Sequence, residues 1–134
     1  MNESNATKQI TLTLPGSIRS KKNHRRPIII GGRNVPRRIA NIPSKTYQAW
    51  ENEARKAVML SLPFVFETIE GPLEVTAVIY YKGARPDLSG CLESVGDCLQ
   101  GLVYEDDGQI ESWDGSRVVH DKGNPRTVVE IKEV

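Results

Sequence analysis

The chain has 134 residues, the length of a single domain (1–134), and its composition of 38% hydrophobic and 26% charged residues is typical of a soluble globular protein. It has no apolar run near the roughly 18 residues needed to cross a bilayer and no secretory signal at its start, so a membrane protein is excluded and a cytoplasmic one is predicted. The net charge of +1 hides an asymmetry: residues 1–56 carry twelve basic and three acidic residues (+9), and residues 57–134 carry six basic and fourteen acidic ones (−8). Either one part meets a polyanion and the other binds a cation, or two solvated faces attract each other.

The first half of the chain predicts one strand, a long loop and one helix. Polar and apolar side chains alternate over residues 8–14, which predicts a strand that Pro15 and Gly16 end. Residues 17–43 are rich in Gly, Pro and basic residues and are expected to form an irregular basic loop, in which Ile28–Ile30 and the following glycines suggest a short hairpin. Ser44 is a good N-cap for a helix that reaches about residue 60.

The second half predicts three strands around a second helix. Residues 73–81 alternate like a strand, residues 87–101 have a helical apolar stripe, and residues 109–119 and 126–134 are predicted strands joined by the turn-forming stretch DKGNP. The order β-α-β-α-β-β predicts an α+β domain with two main helices and a small mixed sheet of about four strands. Tyr47, Trp50 and Trp113 are expected to pack in the core or in a dimer interface.

Two cysteines, Cys91 and Cys98, make up all the thiols of the chain. On one helix their Cα atoms would lie about 10 Å apart at 1.5 Å per residue, which exceeds the reach of a disulfide. Neither Cys nor His stands nearby at the spacing of zinc ligands. We therefore expect both thiols to be buried apolar groups.

Acidic residues flank the predicted second helix. Asp87 precedes it, and Asp106 and Asp107 follow it in a turn marked by Gly108. A helix of about fifteen residues spans roughly 22 Å, so the two acidic groups can meet only if the later segment doubles back beside the helix. Clustered carboxylates suit Mg²⁺ or Mn²⁺, and such an ion can support phosphodiester hydrolysis. The alternative is that these acids are solvated and that Asp87 is an N-cap.

The run PDLSGCLESVGDCLQGLVYEDDGQI resembles the signature region of the RusA-type Holliday junction resolvases. That family's pattern is roughly Asp-Leu-Asp-Asn, a helix with a later Asp, an apolar stretch, Asp-Asp, one residue and Gln. Here Asp87-Leu88 opens the match, Asp97 falls in the helix, and LVYEDDGQ at 102–109 closes it. Weaker similarity covers most of the chain, including a strand that ends in Pro15 and a helix near Tyr47.

The resemblance implies a homodimeric, Mg²⁺-dependent endodeoxyribonuclease that makes paired nicks in a four-way junction during DNA recombination and repair, with Mn²⁺ as another usable ion. Asp87 matches the family's first essential aspartate and Asp107 its last, and the resemblance implies that both of them are catalytic metal ligands. Asp106 would assist as their neighbour. The family also has a Lys in the helix, and the matching position in this chain is Glu93.

Two departures from the family pattern bear on catalysis. Ser89 stands where the family has its second Asp, and Gly90 stands where it has Asn. Ser89, Glu93 and Asp97 are spaced by four and share a helix face, so Glu93 is a candidate for the missing metal ligand. The alternative is that Glu93 is solvated and that the chain is a weakened or inactive protein that only binds branched DNA.

The basic loop is the predicted DNA-binding region. Nine basic residues and no acid lie between Arg19 and Lys45, a balance that favours phosphate contacts over a flexible, solvated loop. His24 is expected to be a DNA contact, and His120 is expected to have no catalytic role. Arg85, next to Asp87, is a candidate partner for the scissile phosphate. The other predicted DNA-binding residues are Lys21, Lys22, Arg25, Arg26, Arg37 and Arg38.

Overall fold

The computed structural model describes residues 8–20 and 25–134, with the side chains of all of these except residues 25, 26 and 39–43. In none of the described helices is there an apolar stretch long enough to cross a membrane. The elements in chain order are β1 (Gln9–Pro15), β2 (Arg25–Gly32), β3 (Val35–Pro43), α1 (Lys45–Ser61), β4 (Leu73–Tyr81), α2 (Leu88–Leu99), β5 (Ile110–Ser112), β6 (Arg117–His120) and β7 (Arg126–Glu133).

The main sheet is mixed and is built around β4. Strand β7 lies between β1 and β4 and is antiparallel to both, while β5 and β6 run parallel to β4 on its other side. The short strand β5 pairs with the first residues of β4 and β6 pairs with its last four, so the two follow each other along one edge. The sheet therefore has four strand positions, and the predicted α+β class with two helices is confirmed.

The single strand predicted at 109–119 is wrong in detail, because a turn at residues 113–116 divides it into β5 and β6. Gly115 has φ 83° in this turn. The turn is still hydrogen bonded to β4 through side chains. The Thr76 hydroxyl donates to the Asp114 carbonyl at 2.8 Å, and the Ala77 amide donates to the Ser116 hydroxyl at 3.0 Å. These bonds replace the missing strand pairing.

The stretch DKGNP does not close a hairpin. The amide of Asp121 donates to the carbonyl of Tyr81 at 2.8 Å, so the chain leaves β6 at the end of β4. It then enters β7 on the opposite side of β4. The strands that this stretch joins both exist, but they do not pair with each other, because β6 and β7 each pair with β4 on opposite sides.

The region predicted as an irregular loop contains a β-hairpin that is longer than the one suggested at Ile28–Ile30. Strands β2 and β3 form a separate two-stranded antiparallel sheet with a bulge between Ile30 and Gly32. Gly31 has φ 93°, and a Cβ there would clash with the Pro36 carbonyl, so the bulge requires glycine. Residues 21–24, which include Lys21, Lys22 and His24, lie outside the described residues.

The core lies between the main sheet and the two helices. Ser44 caps α1 as predicted, accepting a hydrogen bond from the Tyr47 amide at 3.1 Å. Tyr47 and Trp50 are buried, which confirms their core placement, and Trp113 packs against the core while partly exposed. Cys91 and Cys98 are fully buried free thiols, as expected, and burial raises their pKa to about 11 and about 12.

Candidate active site

Asp87 is the N-cap of α2, so its predicted capping role is real. Its Oδ2 accepts from the Gly90 amide at 3.2 Å and from the Ser89 hydroxyl at 3.3 Å. The side chain is exposed, and these two bonds use the same oxygen. Neither capping bond uses Oδ1, so capping and metal binding are compatible at this residue.

The segment after α2 doubles back beside the helix, as the spacing of the acidic residues required. Gly101 has φ 84° at the reversal, and the returning chain hydrogen bonds to residue 69, where the Ile69 amide donates to the Val103 carbonyl at 2.8 Å. The buried Tyr104 hydroxyl donates to the Gly96 carbonyl at 2.8 Å. The return segment is thus fixed to the last turn of α2.

The acidic turn at the end of this segment is a short 3-10 helix, Asp107–Gln109, held mainly by side chains. Asp106 Oδ1 accepts from the Gly108 amide at 2.8 Å. The Gln109 side chain accepts from the amides of Glu105 and Asp106 at 3.1 Å and donates to the carbonyls of residues 69 and 71 at 2.9 and 3.0 Å. The glutamine of the family pattern therefore has a structural role, because its hydrogen bonds fix the acidic turn to the preceding part of the chain.

Asp107 faces α2 at Gly96. Its Oδ2 lies 3.6 Å from the position that a Cβ on Gly96 would take, so the carboxylate is close to the helix at this residue. Partial burial, the charge of Asp97 and then the neighbouring Asp106 raise the pKa of Asp107. Asp97 is therefore part of the acidic group around Asp107, although sequence reasoning placed it in the motif without proposing it as a ligand.

Asp87 and Asp107 stand at different points along α2. Asp87 contacts Gly90 and Asp107 contacts Gly96, positions six residues and about 9 Å apart along the helix axis. Over residues 8–20 and 25–134, no three His, Cys, Asp or Glu side chains come together as a group that could hold a metal ion. Asp107 is thus brought onto the face of α2 at Gly96, while Asp87 lies at the start of the helix, and the described structure does not gather the predicted ligands at one point.

A cleft of about 290 Å³ runs along this face, and we refer to it as the acidic cleft. Ser89, Glu93 and Asp107 all line it, so the serine that replaces the family's second aspartate shares a cleft with the two candidate carboxylates. Their oxygens are of the type that hard divalent cations prefer. The remaining lining residues are Leu92, Gly96, Ile110 and Trp113.

A second cleft, of about 410 Å³, is lined by Asp87 itself. Arg19, Lys82 and Arg85 line it together with Asp87, and we refer to it as the basic cleft. The sequence does not single out Lys82, because this residue belongs to no motif. It reaches the cleft only through its position at the end of β4. The rest of the lining consists of Ser17, Ile18, Ser20, Tyr81, Ala84 and Pro86.

The predicted DNA-binding residues of the basic loop lie mainly on the β2–β3 hairpin. Arg37 and Arg38 are exposed on β3. Arg25 and Arg26 belong to β2, and their side chains lie outside the described part of the structure. His120 packs edge-on against Tyr81, with ring centroids 5.4 Å apart.

Comparison with protein families gives one match: the family described as Endodeoxyribonuclease RusA matches residues 15–132. The chain belongs to this family. The match covers both clefts and all of α2, so the resemblance seen in the signature region extends over the domain. RusA-family membership supports an endodeoxyribonuclease that acts on Holliday junctions. A search among curated proteins found no match for this RusA-family chain.

Proposed function

We propose that this RusA-family protein is a divalent-metal-dependent endonuclease that resolves Holliday junctions by paired nicks, with Mg²⁺ as the ion and Mn²⁺ as a substitute. The observation that carries the proposal is the return of Asp107 onto α2, where it shares the acidic cleft with Glu93 and Ser89. Partial burial and then the charge of Asp97 raise the pKa of Asp107, and a carboxylate in such a setting suits a site that a cation completes.

The residues of the two clefts would share the work of binding and cutting. Asp107 and Glu93 offer oxygen ligands inside the acidic cleft, Asp87 offers its second oxygen at the helix start, and Asp106 assists from the turn. When bound, the metal would activate water and offset the negative charge that builds on the phosphoryl oxygens. Arg85, exposed in the basic cleft, would contact the DNA backbone.

Opposed nicks require two active sites, and the described chain offers one candidate site. We therefore include the homodimer in the proposal, so that two copies present two acidic clefts to the two continuous strands of a junction. Sedimentation velocity of the full chain, with and without a junction, checks this part. A monomer on a junction that is nevertheless cut on both strands would contradict it.

The decisive experiment compares cleavage of a four-way junction and a matched linear duplex, in Mg²⁺, in Mn²⁺ and in chelator. Asp87→Asn is the informative variant, because Asn caps a helix about as well as Asp but lacks the charge that a metal needs. Asp114→Asn, at an exposed acid outside both clefts, is the matched control. We expect symmetric nicking of the junction that needs metal, is lost in Asp87→Asn and survives in Asp114→Asn.

A junction-binding protein without cleavage is the second candidate, and Ser89 favours it. Its hydroxyl is a neutral donor to Asp87, so it supplies hydrogen bonding where the family has a charged ligand. Tight binding of the junction without cleavage in either metal would establish this candidate and contradict the nuclease.

Two substitutions test whether Glu93 replaces the missing ligand. If it does, Glu93→Gln should abolish metal-dependent cleavage in the natural chain and have a much smaller effect in the Ser89→Asp background, because Asp at 89 restores the family's carboxylate. If Glu93 is only solvated, Glu93→Gln changes little in either background, and Ser89→Asp by itself raises activity strongly. The coupling between the two positions separates these outcomes.

A further inference from the structure

The basic cleft contains three cations that have no ion-pair or hydrogen-bond partner for their side chains among the described residues: Arg19, Lys82 and Arg85. Lys82 and Arg85 are exposed and Arg19 is half-buried, and Asp87 is the one acid among the residues that line the cleft. Like charges held in one concave place repel each other, and their field attracts an anion of matching size. The cleft is thus better suited to a bound anion than to water alone.

Both walls of the cleft are fixed to the body of the domain. On one wall, the Ser94 hydroxyl donates to the carbonyl of Arg19 at 2.7 Å and ties the segment 17–20 to α2. Gly90 permits this approach, because a Cβ there would clash with the Ser20 side chain. On the other wall, Lys82 directly follows β4. The backbone of Arg19 is therefore fixed to α2 and Lys82 directly follows the central strand, so neither residue depends on the β2–β3 hairpin for its position.

The cleft is separate from the acidic group around Asp107. The two clefts share no lining residue: Asp87 at the start of α2 lines the basic one, and Ser89, two residues further on, lines the acidic one. An anion in the basic cleft would thus be near Asp87 but displaced from the carboxylates at Gly96. A nucleic acid strand that crosses the start of α2 would present successive phosphates to the two clefts.

We propose that the basic cleft binds the DNA phosphate that neighbours the scissile one, and that Arg19 and Lys82, together with Arg85, set the register of the strand over the acidic cleft. This inference rests on the proposed function, because it takes the ligand to be the junction that the nuclease cuts. Arg19 and Lys82 are positioning residues in this scheme, since they contact a phosphate that does not react.

The test is a binding experiment in chelator, so that cleavage plays no part in it. Four-way junctions are prepared with a single uncharged methylphosphonate linkage at each position around the cleavage site. Binding of each is measured with the wild type, Lys82→Gln and Arg19→Gln. Lys132→Gln is the control, because Lys132 is exposed and lies on β7 opposite Glu74, at the end of β4 that is far from Lys82. Unfolding midpoints verify that all variants are folded.

We expect one linkage at which the neutral phosphate weakens binding by the wild type and by Lys132→Gln, but has almost no further effect in Lys82→Gln or Arg19→Gln. Each variant that loses one phosphate contact should also lower the salt slope by about one. Binding should then weaken about 3.5-fold less than in the wild type when salt rises from about 50 to 200 mM. Linkage losses that are equal in the wild type and both cleft variants would overturn the proposal.

The result is distinguishable from a failure of the nuclease proposal. If the protein never cuts but one linkage is coupled to Lys82 or Arg19, the phosphate site is supported and the nuclease proposal is contradicted. If the protein cuts in the presence of metal but shows no such coupling, the phosphate-site proposal is contradicted and the nuclease proposal is supported.

Discussion

Tyr104 connects the acidic turn to α2, and its hydroxyl offers a clean perturbation of the site. The side chain is fully buried and its hydroxyl donates to the Gly96 carbonyl at 2.8 Å. Burial holds its pKa far above the usual range, so the group is a neutral donor throughout the working pH range. Tyr104→Phe removes this bond and leaves the carbonyl without it, which should cost about 1.5 kcal/mol and lower Tm by roughly 5 °C.

The effect on cleavage should exceed the effect on stability. Gly96 is the residue that Asp107 faces, so a loosened return segment lets the carboxylate move away from its place in the acidic cleft. A displacement of this kind lowers rates by about 10- to 100-fold when a reacting geometry depends on it. We expect single-turnover junction cleavage to fall by that factor at a temperature where the variant is fully folded, with junction binding in chelator unchanged.

Tyr47→Phe is the matched control. It removes the same atom from another buried tyrosine, whose hydroxyl donates to Glu51 at 2.7 Å within α1 and which lines neither cleft. Urea denaturation gives the stability loss of each variant, and cleavage of the folded fraction gives its activity. If Tyr104→Phe cuts the junction as fast as Tyr47→Phe does, the position of Asp107 against Gly96 has no part in catalysis and the reasoning is refuted.

Two further sets of variants test the electrostatics and the packing of α2. Asp97→Asn should lower the pKa of Asp107, because it removes the largest charge that raises it. Because the pKa of Asp107 is raised in the folded protein, its protonated form stabilises the fold below the ordinary pKa of 3.8, and this stabilisation is lost as the pH rises through the raised pKa. Asp97→Asn should therefore lose less stability than the wild type over this pH range. NMR titration of Asp107 and urea denaturation against pH check both parts, and an unmoved pKa would contradict the assigned cause. Gly90→Ala should destabilise the fold by about 1–3 kcal/mol, because its Cβ would clash with Ser20. Gly96→Ala, whose Cβ would meet nothing closer than 3.6 Å, should instead stabilise the fold by up to about 1 kcal/mol. Equal changes in the free energy of unfolding for Gly90→Ala and Gly96→Ala, measured by urea denaturation, would contradict the packing described at these two glycines.

Local signals predicted the helices and most strands well. The cap at Ser44 and the buried residues Tyr47 and Trp50 follow from spacing alone, because they depend on contacts within one turn or on a single apolar face. The neighbours of each strand do not follow in this way. A period of two says which face of a strand is buried, but it does not say that β7 lies between β1 and β4, or that β6 pairs on the far side of β4.

The candidate site was predicted in its residue types but not in its distances. Spacing required the segment of Asp107 to return to α2, and it does, but only the fold shows that it meets the helix at Gly96 and not at Asp87. Asp97 gained importance because the returning carboxylate lies beside it. Lys82 has no sequence signal at all, since a lysine after a strand is most often solvated, and its role depends on what β4 and α2 bring beside it.

The two departures from the family pattern have a common physical reading at the start of α2. Gly90 lets Ser20 approach the helix, and this contact holds one wall of the basic cleft in place. Ser89 removes a negative charge from the same end of the helix, two residues from Asp87, which is the one acid that lines the basic cleft. Under the proposed function, the start of α2 becomes better suited to a phosphate, and the metal-binding charge moves along the helix to Glu93 and the acidic cleft. The same shift explains why restoring Asp at 89 should help the metal and weaken the neighbouring phosphate site, two effects of opposite sign that cleavage and binding in chelator measure separately.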